Sequence, residues 1–206
     1  NYVTFDLGRP LHVFDIDKLS GGALTMRFAE AGEKIAALDG KTYTLDDQMT
    51  VIGDGAGAQA IGGIMGGEST GCTEDTTSVF LEAALFDPIR TAATGRKLAI
   101  ESDARYRFER GVDPASVLWG ADVATKLILD LCGGEASELS IAGETPPPHH
   151  PIALDPARIA TLGGMDMDAA EARRILDALG FETTLDDNRI MATPPLIITE
   201  AECDAL

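Results

Sequence analysis

The first 85 residues of this 206-residue chain are short β-branched and apolar runs separated by glycine and acidic turn residues. Turn signals such as Asp39-Gly40 and Asp54-Gly55 interrupt the runs every few residues. Runs of about four to eight residues bounded in this way indicate strands, because a helix needs a longer periodic pattern. The predicted strands are Asn1–Leu7, Leu24–Ala29, Lys34–Ala37, Thr42–Leu45, Met49–Ile52 and Val79–Leu85.

Helix signals dominate the rest of the chain. Asp-Pro dipeptides at 87–88, 113–114 and 155–156 each place an N-cap acceptor before a proline at the first helical position. The helix after the second dipeptide should end at Gly133-Gly134. Its predicted apolar face consists of Val117, Ala121, Ala124, Ile128 and Leu131.

Two domains are predicted, over residues 1–145 and 150–206. The first is an α+β domain with a mixed barrel-like or sandwich-like sheet and flanking helices. The proline-rich stretch 143–151 is typical of a linker. Beyond it, two helices starting near Asp155 and Asp168, followed by a hairpin over 181–192, predict a small winged-helix-like module.

The composition excludes several functional classes. With 16 Lys+Arg against 34 Asp+Glu, the net charge is −18, so the chain does not hold phosphate backbones by bulk electrostatics. If RNA is the substrate, another domain or subunit must hold most of it. The three cysteines have no metal-ligand spacing, so no metal site is predicted. No signal peptide or membrane-length apolar run occurs, and the chain is expected to be a cytoplasmic fragment of a longer protein.

Three separate features are candidates for chemistry. His12 follows a turn and is either structural or able to polarise a water. The segment Gly62-Gly-Ile-Met-Gly-Gly67 either forms a tight hairpin or exposes backbone to a ligand. Glu82 interrupts an apolar strand, so it faces either solvent or a pocket or partner, and in a pocket it can select a hydroxyl-bearing ligand.

Arginines and carboxylates are concentrated between Ser102 and Pro114, in Ser-Asp-Ala-Arg-Tyr-Arg-Phe-Glu-Arg-Gly-Val-Asp-Pro. These arginines either contact phosphate or fix the local turn by pairing with carboxylates. Pairing is the favoured interpretation, because a helix with a defined start follows directly.

Five segments together resemble the bacterial phenylalanyl-tRNA synthetase beta subunit, with matching order and spacing over residues 1–145. They are Asn-Tyr-Val from position 1, Gly-Arg-Pro-Leu-His-Val-Phe-Asp from 8, Gly-Gly-Ile-Met-Gly-Gly-Glu from 62, Phe-Leu-Glu-Ala-Ala from 80 and the segment from Ser102. The resemblance identifies this region as similar to the family's editing domain. It implies hydrolysis of the ester that joins tyrosine to tRNA(Phe), because a synthetic pocket for phenylalanine rejects tyrosine only weakly.

The resemblance also implies roles for individual residues. His12 corresponds to the histidine near the scissile ester, and Glu82 to the residue that recognises the tyrosine phenol. The remaining substrate-binding residues that it implies are Asn1, Gly66, Gly67, Ser102 and Ala104. Ser102 stands where many relatives have Thr, and the relatives' Thr before Asn1 is absent. Residues 196–206 do not match, so the second domain is expected to be truncated or divergent.

The implied partners are the 3′ end of tRNA(Phe) and the synthetase alpha subunit of the heterotetramer, with no membrane. No cofactor is expected for this segment, whereas ATP and magnesium are expected for the full enzyme. The alternative is a non-enzymatic module that serves as a structural or tRNA-docking part of the synthetase. The net charge favours this alternative for the isolated chain.

Overall fold

The computed structural model describes residues 1–144, 151–187 and 189–195. The chain forms two compact units, Asn1–Val112 with Ser116–Gly143, and Asp113–Ala115 with Glu144–Leu206. The helices are α1 Tyr2–Leu7, α2 Pro88–Leu98, α3 Asp103–Phe108, α4 Ser116–Cys132, α5 Ala157–Gly163 and α6 Ala169–Ala178. The strands are β1 His12–Asp15, β2 Thr25–Phe28, β3 Lys34–Ala36, β4 Thr42–Thr44, β5 Thr50–Gly53, β6 Ala58–Ile61, β7 Met65–Gly66, β8 Val79–Glu82, β9 Ile152–Leu154, β10 Glu182–Asp186 and β11 Arg189–Thr193.

Short antiparallel sheets make up the first unit. One sheet has four strands in the order β2-β5-β6-β7, and two sheets have two strands each, β1-β8 and β3-β4. Within residues 1–144 no sheet closes into a barrel, so the single barrel-like or sandwich-like sheet is not what the strands build. The strands are at most four residues long, and each pairs with its neighbour over only that length. The α+β character and predicted strands β2, β3, β4, β5 and β8 are confirmed, with small shifts at their ends.

The core of the first unit takes side chains from both the four-stranded sheet and the β3–β4 pair. Alternate strand residues point inward, as the burial of Ile35 between exposed neighbours shows. A smaller cluster around Phe14 connects β1 to the sheet through Ile52 and Ala60. The main cluster consists of Ala29, Ile35, Ala37, Tyr43, Leu45, Met49, Val51, Ile61, Ile64 and Ile100.

The prediction of a strand over Asn1–Leu7 is wrong, because these residues form α1. The Phe5 N–H donates to the Asn1 carbonyl at 3.0 Å, and Gly8 ends the helix in the left-handed conformation with φ 65°. β-branched and aromatic residues favour strands only where a sheet accepts them. Among the described residues no strand pairs with this segment.

Two predictions about α4 need correction. The helix begins at Ser116 rather than directly after Asp113, whose carboxylate accepts a hydrogen bond from the Ala115 N–H at 2.8 Å. Of the predicted apolar face only Ala121 and Ala124 are buried, while Leu131 is 82% exposed. The predicted end is confirmed, because Gly133 follows the helix with φ 72°.

The second unit contains α5, α6 and a three-stranded antiparallel sheet in the order β10-β11-β9. Asp168 caps α6 by accepting a hydrogen bond from the Glu171 N–H at 2.8 Å, as the sequence predicted. The hairpin of β10 and β11 is also confirmed, and its core includes Leu176, Phe181 and Ile190. The winged-helix assignment stays a prediction, as do the domain limits. Residues 145–150 of the predicted linker and the divergent tail 196–206 lie outside the described residues.

Candidate functional site

The strand pair β1–β8 places His12 directly opposite Glu82. The same register pairs Phe14 with Phe80 two residues further along. Directly opposite residues in an antiparallel pair project to the same face of the sheet. The imidazole and the carboxylate therefore lie side by side, although the whole of β2–β7 separates them in sequence.

Both side chains line one cavity that is partly open to solvent. Its walls come from the segment before β1, the β6–β7 turn, the end of β8 and α3. Apart from His12 and Glu82, the lining side chains are apolar or absent, as is usual for a small-molecule pocket. The lining residues are Pro10, Leu11, His12, Ala60, Ile61, Gly62, Gly63, Ile64, Met65, Gly66, Glu82, Phe86, Ala104 and Phe108.

Glycines in the β6–β7 turn make room for the rings around the cavity. A Cβ on Gly62 would lie 2.7 Å from the Phe86 ring, and a Cβ on Gly63 would lie 3.1 Å from the Phe108 ring. Gly63 also has φ 68°, which L side chains rarely adopt. Phe86 and Phe108 meet edge to face with centroids 5.0 Å apart. The turn is thus the tight hairpin that the sequence offered as one alternative, and the binding of a ligand to its backbone stays a prediction.

The His12 ring is held in an apolar setting. It meets the Phe14 ring at a centroid distance of 4.3 Å, and its buried Nε2 has no hydrogen-bond partner among the described residues. Burial lowers the pKa of His12, so the imidazole is neutral at pH 7. A neutral imidazole offers one donor and one acceptor. Nε2 therefore retains a hydrogen-bonding capacity that no described residue uses.

Glu82 is a carboxylate in a setting that opposes its charge. Burial raises its pKa to about 7, and the positive charge of Arg9 acts in the opposite direction. Within residues 1–144, 151–187 and 189–195 no group donates a hydrogen bond to this carboxylate. An incoming hydroxyl group would supply the donor that Glu82 lacks.

Arg9 is the main residue of this site that the sequence did not reveal. Its side chain is 1% exposed, and its guanidinium donates to the Ala84 carbonyl at 2.6 Å and to the Pro10 carbonyl at 3.1 Å. Burial lowers the pKa of Arg9 to about 10, so it remains charged at pH 7. The sequence around Arg9 contains no local pattern that predicts its hydrogen bonds to the Pro10 and Ala84 carbonyls.

The structure brings four of the seven predicted site residues to the cavity: His12, Gly66, Glu82 and Ala104. Ser102 instead caps α3, accepting from the Arg105 N–H at 3.0 Å while its hydroxyl donates to the Ile64 carbonyl at 2.6 Å. It thereby fixes α3, and so Ala104, against the β6–β7 turn. A role of these residues in substrate binding stays a prediction.

Gly67 and Asn1 are not among the cavity residues. The Gly67 N–H donates to the Gln59 carbonyl at 2.7 Å, so it is not free to bind an oxyanion. A Cβ on Gly67 would lie 2.6 Å from that same carbonyl oxygen, which gives this glycine a packing role. Asn1 is exposed at the start of α1, and its side chain makes no capping hydrogen bond.

The arginines after Ser102 pair with carboxylates and backbone, as the favoured interpretation predicted. Arg105 bonds to Glu109 at 2.9 Å and to the Ile100 carbonyl at 2.6 Å, close against Gly95 of α2. Arg110 bonds to Glu109 at 3.0 Å. The contacts of Arg105 with Ile100 and Gly95 attach α3 to α2, and α3 is one wall of the cavity.

Comparison with known proteins places this site in a family. The family model of the B3/4 domain matches residues 1–133. The chain belongs to the B3/4 domain family. The matched part includes every residue of the cavity, so the site is a feature of the B3/4 domain of this chain.

Relatives of this B3/4 domain chain are phenylalanine--tRNA ligase beta subunits. The chain is 62% identical over 188 residues to the one from Rhodospirillum rubrum, which covers 91% of the chain and 23% of the relative. It is 55% identical over 195 residues to the one from Paramagnetospirillum magneticum, covering 95% and 24%. These matches confirm the resemblance predicted from the five sequence segments. The chain spans about a quarter of the length of these relatives.

A solved N-terminal fragment of the phenylalanyl-tRNA synthetase beta subunit from Pyrococcus horikoshii is also similar. It is 18% identical, with a TM-score of 0.39, over 95% of the chain and 57% of the fragment.

Among the described residues no helix is long and apolar enough to cross a membrane, and no group of three or more potential ligands could hold a metal ion.

Proposed function

We propose that the B3/4 domain of this chain hydrolyses the ester between tyrosine and tRNA(Phe). The observation that carries the proposal is the pairing of His12 with Glu82 across β1–β8 at one cavity. The Glu82 carboxylate suits the recognition of a phenol, and the His12 imidazole suits the activation of a water. The rings of Phe86 and Phe108 and the bare turn provide apolar surface for an aromatic amino acid.

Recognition of tyrosine depends on the unpaired carboxylate of Glu82. A phenol hydroxyl donates a hydrogen bond to it, whereas phenylalanine desolvates the carboxylate and leaves it without a partner. Sites that bind a hydroxyl in this way reject the analogue that lacks it by up to about 10⁴-fold. The selectivity is thus opposite to that of a pocket shaped for phenylalanine.

Hydrolysis depends on the neutral imidazole of His12. It accepts a proton from a water that attacks the ester carbonyl, and then returns that proton to the leaving 3′ oxygen. The products are free tyrosine and tRNA with an intact 3′ hydroxyl. Positioned proton transfer of this kind accelerates reactions by about 10²–10⁴-fold.

The names of the relatives extend the proposal to the whole protein. We place the chain in a cytoplasmic phenylalanine-tRNA ligase, in which an alpha subunit and other domains hold the tRNA and only its 3′ end enters the cavity. A net charge of −18 agrees with this division, because it weakens contact with phosphates. ATP and magnesium belong to the synthetic reaction of the full enzyme and not to this segment.

The test is deacylation by the purified chain of tRNA(Phe) carrying tyrosine or phenylalanine. We expect faster release of tyrosine, and loss of that preference in Glu82→Ala. Glu74→Ala, which removes an exposed glutamate, is the matched control and should keep the preference. Equal rates on both substrates in the unsubstituted chain would reject the proposal.

Binding distinguishes editing from the docking module that the net charge favours. The probes are 3′-amino-3′-deoxyadenosine carrying tyrosine or phenylalanine through a non-hydrolysable amide. A preference for the tyrosyl compound supports editing. Failure to bind either compound, with the fold intact, supports the docking module.

A further inference from the structure

The side chain of Arg9 connects the two chain segments that carry His12 and Glu82. One guanidinium nitrogen donates to the carbonyl of Pro10, two residues before His12, at 3.1 Å. Another donates to the carbonyl of Ala84, two residues after Glu82, at 2.6 Å. The Arg9 guanidinium with these two hydrogen bonds, here called the fork, therefore joins the two segments just beyond the end of the β1–β8 strand pair, next to the cavity.

Packing fixes this fork in place. The Arg9 guanidinium carbon lies 5.6 Å from the centre of the Phe108 ring, which lines the cavity. A Cβ on Gly120 would lie 2.8 Å from Arg9 Cγ. The Arg9 side chain therefore fits against α4 only because residue 120 is a glycine. Arg9 Nε is buried and has no hydrogen-bond partner among the described residues. An unpaired buried donor costs stability, so a hydrophobic residue of similar volume would suit a purely structural role better.

Arg9 is also the positive charge that acts on Glu82. His12 is the other titratable side chain that lines the cavity with Glu82, and it is neutral at pH 7. The β6–β7 turn and α3 contribute no charged side chain to the cavity lining. Helix α4, which contacts β8, buries Ser116, Gly120, Ala121 and Ala124.

We propose that Arg9 is a specificity-determining positioning residue, which joins the His12 and Glu82 segments through its fork and keeps the Glu82 carboxylate able to accept a hydrogen bond from a phenol. This role rests on the proposed editing function. Without the charge of Arg9, burial acts unopposed and Glu82 holds its proton to higher pH. A protonated carboxyl is a weaker acceptor, so preference for tyrosine would fall.

The test follows the Glu82 titration directly by carboxyl-carbon NMR, with Glu82→Gln used to assign the signal. The variants are Arg9→Gln, which removes the charge, and Arg9→Lys, which keeps it but loses the fork. Arg9→Met fills the same space without charge and repeats the test if Arg9→Gln does not fold. Arg27→Gln is the control, because it breaks a two-bond ion pair with Glu33 outside the cavity.

In the unsubstituted chain the Glu82 midpoint is expected near pH 7. Arg9→Gln should raise it by about one pH unit, a shift typical of losing one nearby charge. At pH 7 this lowers the ionised fraction, and with it the preference for the tyrosyl over the phenylalanyl adenosine amide, by about fivefold. Arg9→Lys should restore the midpoint, and Arg27→Gln should leave it unchanged.

A Glu82 midpoint that does not move in folded Arg9→Gln or Arg9→Met overturns the inference. A shift in Arg27→Gln as large as that in Arg9→Gln also overturns it, because the effect would then come from general destabilisation. If the midpoint moves as expected but the unsubstituted chain binds both amides equally, the editing function itself fails, and with it the role of Arg9 in specificity.

Discussion

The Cα of Gly66 lies against the imidazole of His12. A Cβ built on Gly66 would overlap Cε1 of the ring and come within 2.9 Å of Nε2. On another side the ring meets Phe14. The position of the proposed water-activating group is therefore set partly by the absence of a side chain on β7.

Gly66→Ala should displace the His12 ring and slow release of tyrosine from tRNA(Phe) by about tenfold or more, since small misplacements of reacting groups are costly. It should also destabilise the first unit by about 1–3 kcal/mol through overpacking. Deacylation rates and urea unfolding, followed by the fluorescence of the single tryptophan, Trp119 of α4, measure both effects. Gly163→Ala, at a site with nothing within 4 Å of the added Cβ, is the tolerated control. Full activity in Gly66→Ala would contradict the geometry.

His12→Ala should lower the deacylation rate at saturating substrate by about 10²–10⁴-fold, because it removes the proton acceptor. Affinity for the tyrosyl adenosine amide should change only slightly, because Glu82 and the apolar walls remain. Single-turnover kinetics and calorimetric binding separate the two effects. An unchanged rate would exclude the proposed role of His12.

Glu82→Gln should change how stability depends on pH. The folded-state pKa of Glu82 is about 7 against an ordinary value of 4.5, so between these pH values the folded state binds more protons than the unfolded state. The stabilisation by protonated Glu82 is complete below pH 4.5 and is lost as the pH rises through 7. At pH 8, Glu82→Gln should therefore be more stable than the unsubstituted chain by about 1–3 kcal/mol.

Urea unfolding of both proteins at pH 4.5 and 8, followed by Trp119, measures this difference. Glu33→Gln is a control of opposite sign, because Arg27 is the first of the contacts that lower the pKa of Glu33 to about 2. Its stabilisation is present above pH 4.5 and is lost as the pH falls toward 2, so Glu33→Gln is measured in addition at about pH 3, where its stability difference should shrink. Equal stability differences for Glu82→Gln at the two pH values would show that Glu82 titrates normally.

Ser102→Ala should destabilise the first unit by about 1–2 kcal/mol, since it removes the cap of α3 and leaves the Ile64 carbonyl without its donor. Ser102→Thr keeps the hydroxyl and should retain most of the stability. Ser137→Ala, at an exposed position, should change stability by less than about 0.5 kcal/mol. If Ser102→Ala lost affinity for the tyrosyl amide without losing stability, Ser102 would instead be a direct substrate contact.

Local features of the fold were predictable from sequence. Asp87 caps α2 by accepting from the Arg90 N–H at 2.7 Å, and Asp168 caps α6 in the same way. Each N-cap joins residues three positions apart, so the sequence pattern that predicts it lies within a few residues. The start of α3 carried a similar signal, Ser102 before an acidic first turn, within a segment whose dominant sequence feature is its arginines.

Contacts between distant segments were not predictable from sequence. β1 and β8 pair over four residues with the entire four-stranded sheet between them in the chain. The chain separation removes any local signal for the register that brings His12 to Glu82. Arg9 was missed for the same reason, because its partner at Ala84 lies beyond β8. From the sequence, only the resemblance to a family indicated that His12 and Glu82 belong to one site.

The β1–β8 pairing also orders events during synthesis. The amino-terminal strand of the pair emerges from the ribosome long before its partner. Non-local pairing of this kind is slow, because the closing of a long loop precedes any gain from contact. A nascent chain therefore carries an unassembled site until the intervening strands have been made, and a fault in those strands would keep His12 and Glu82 apart.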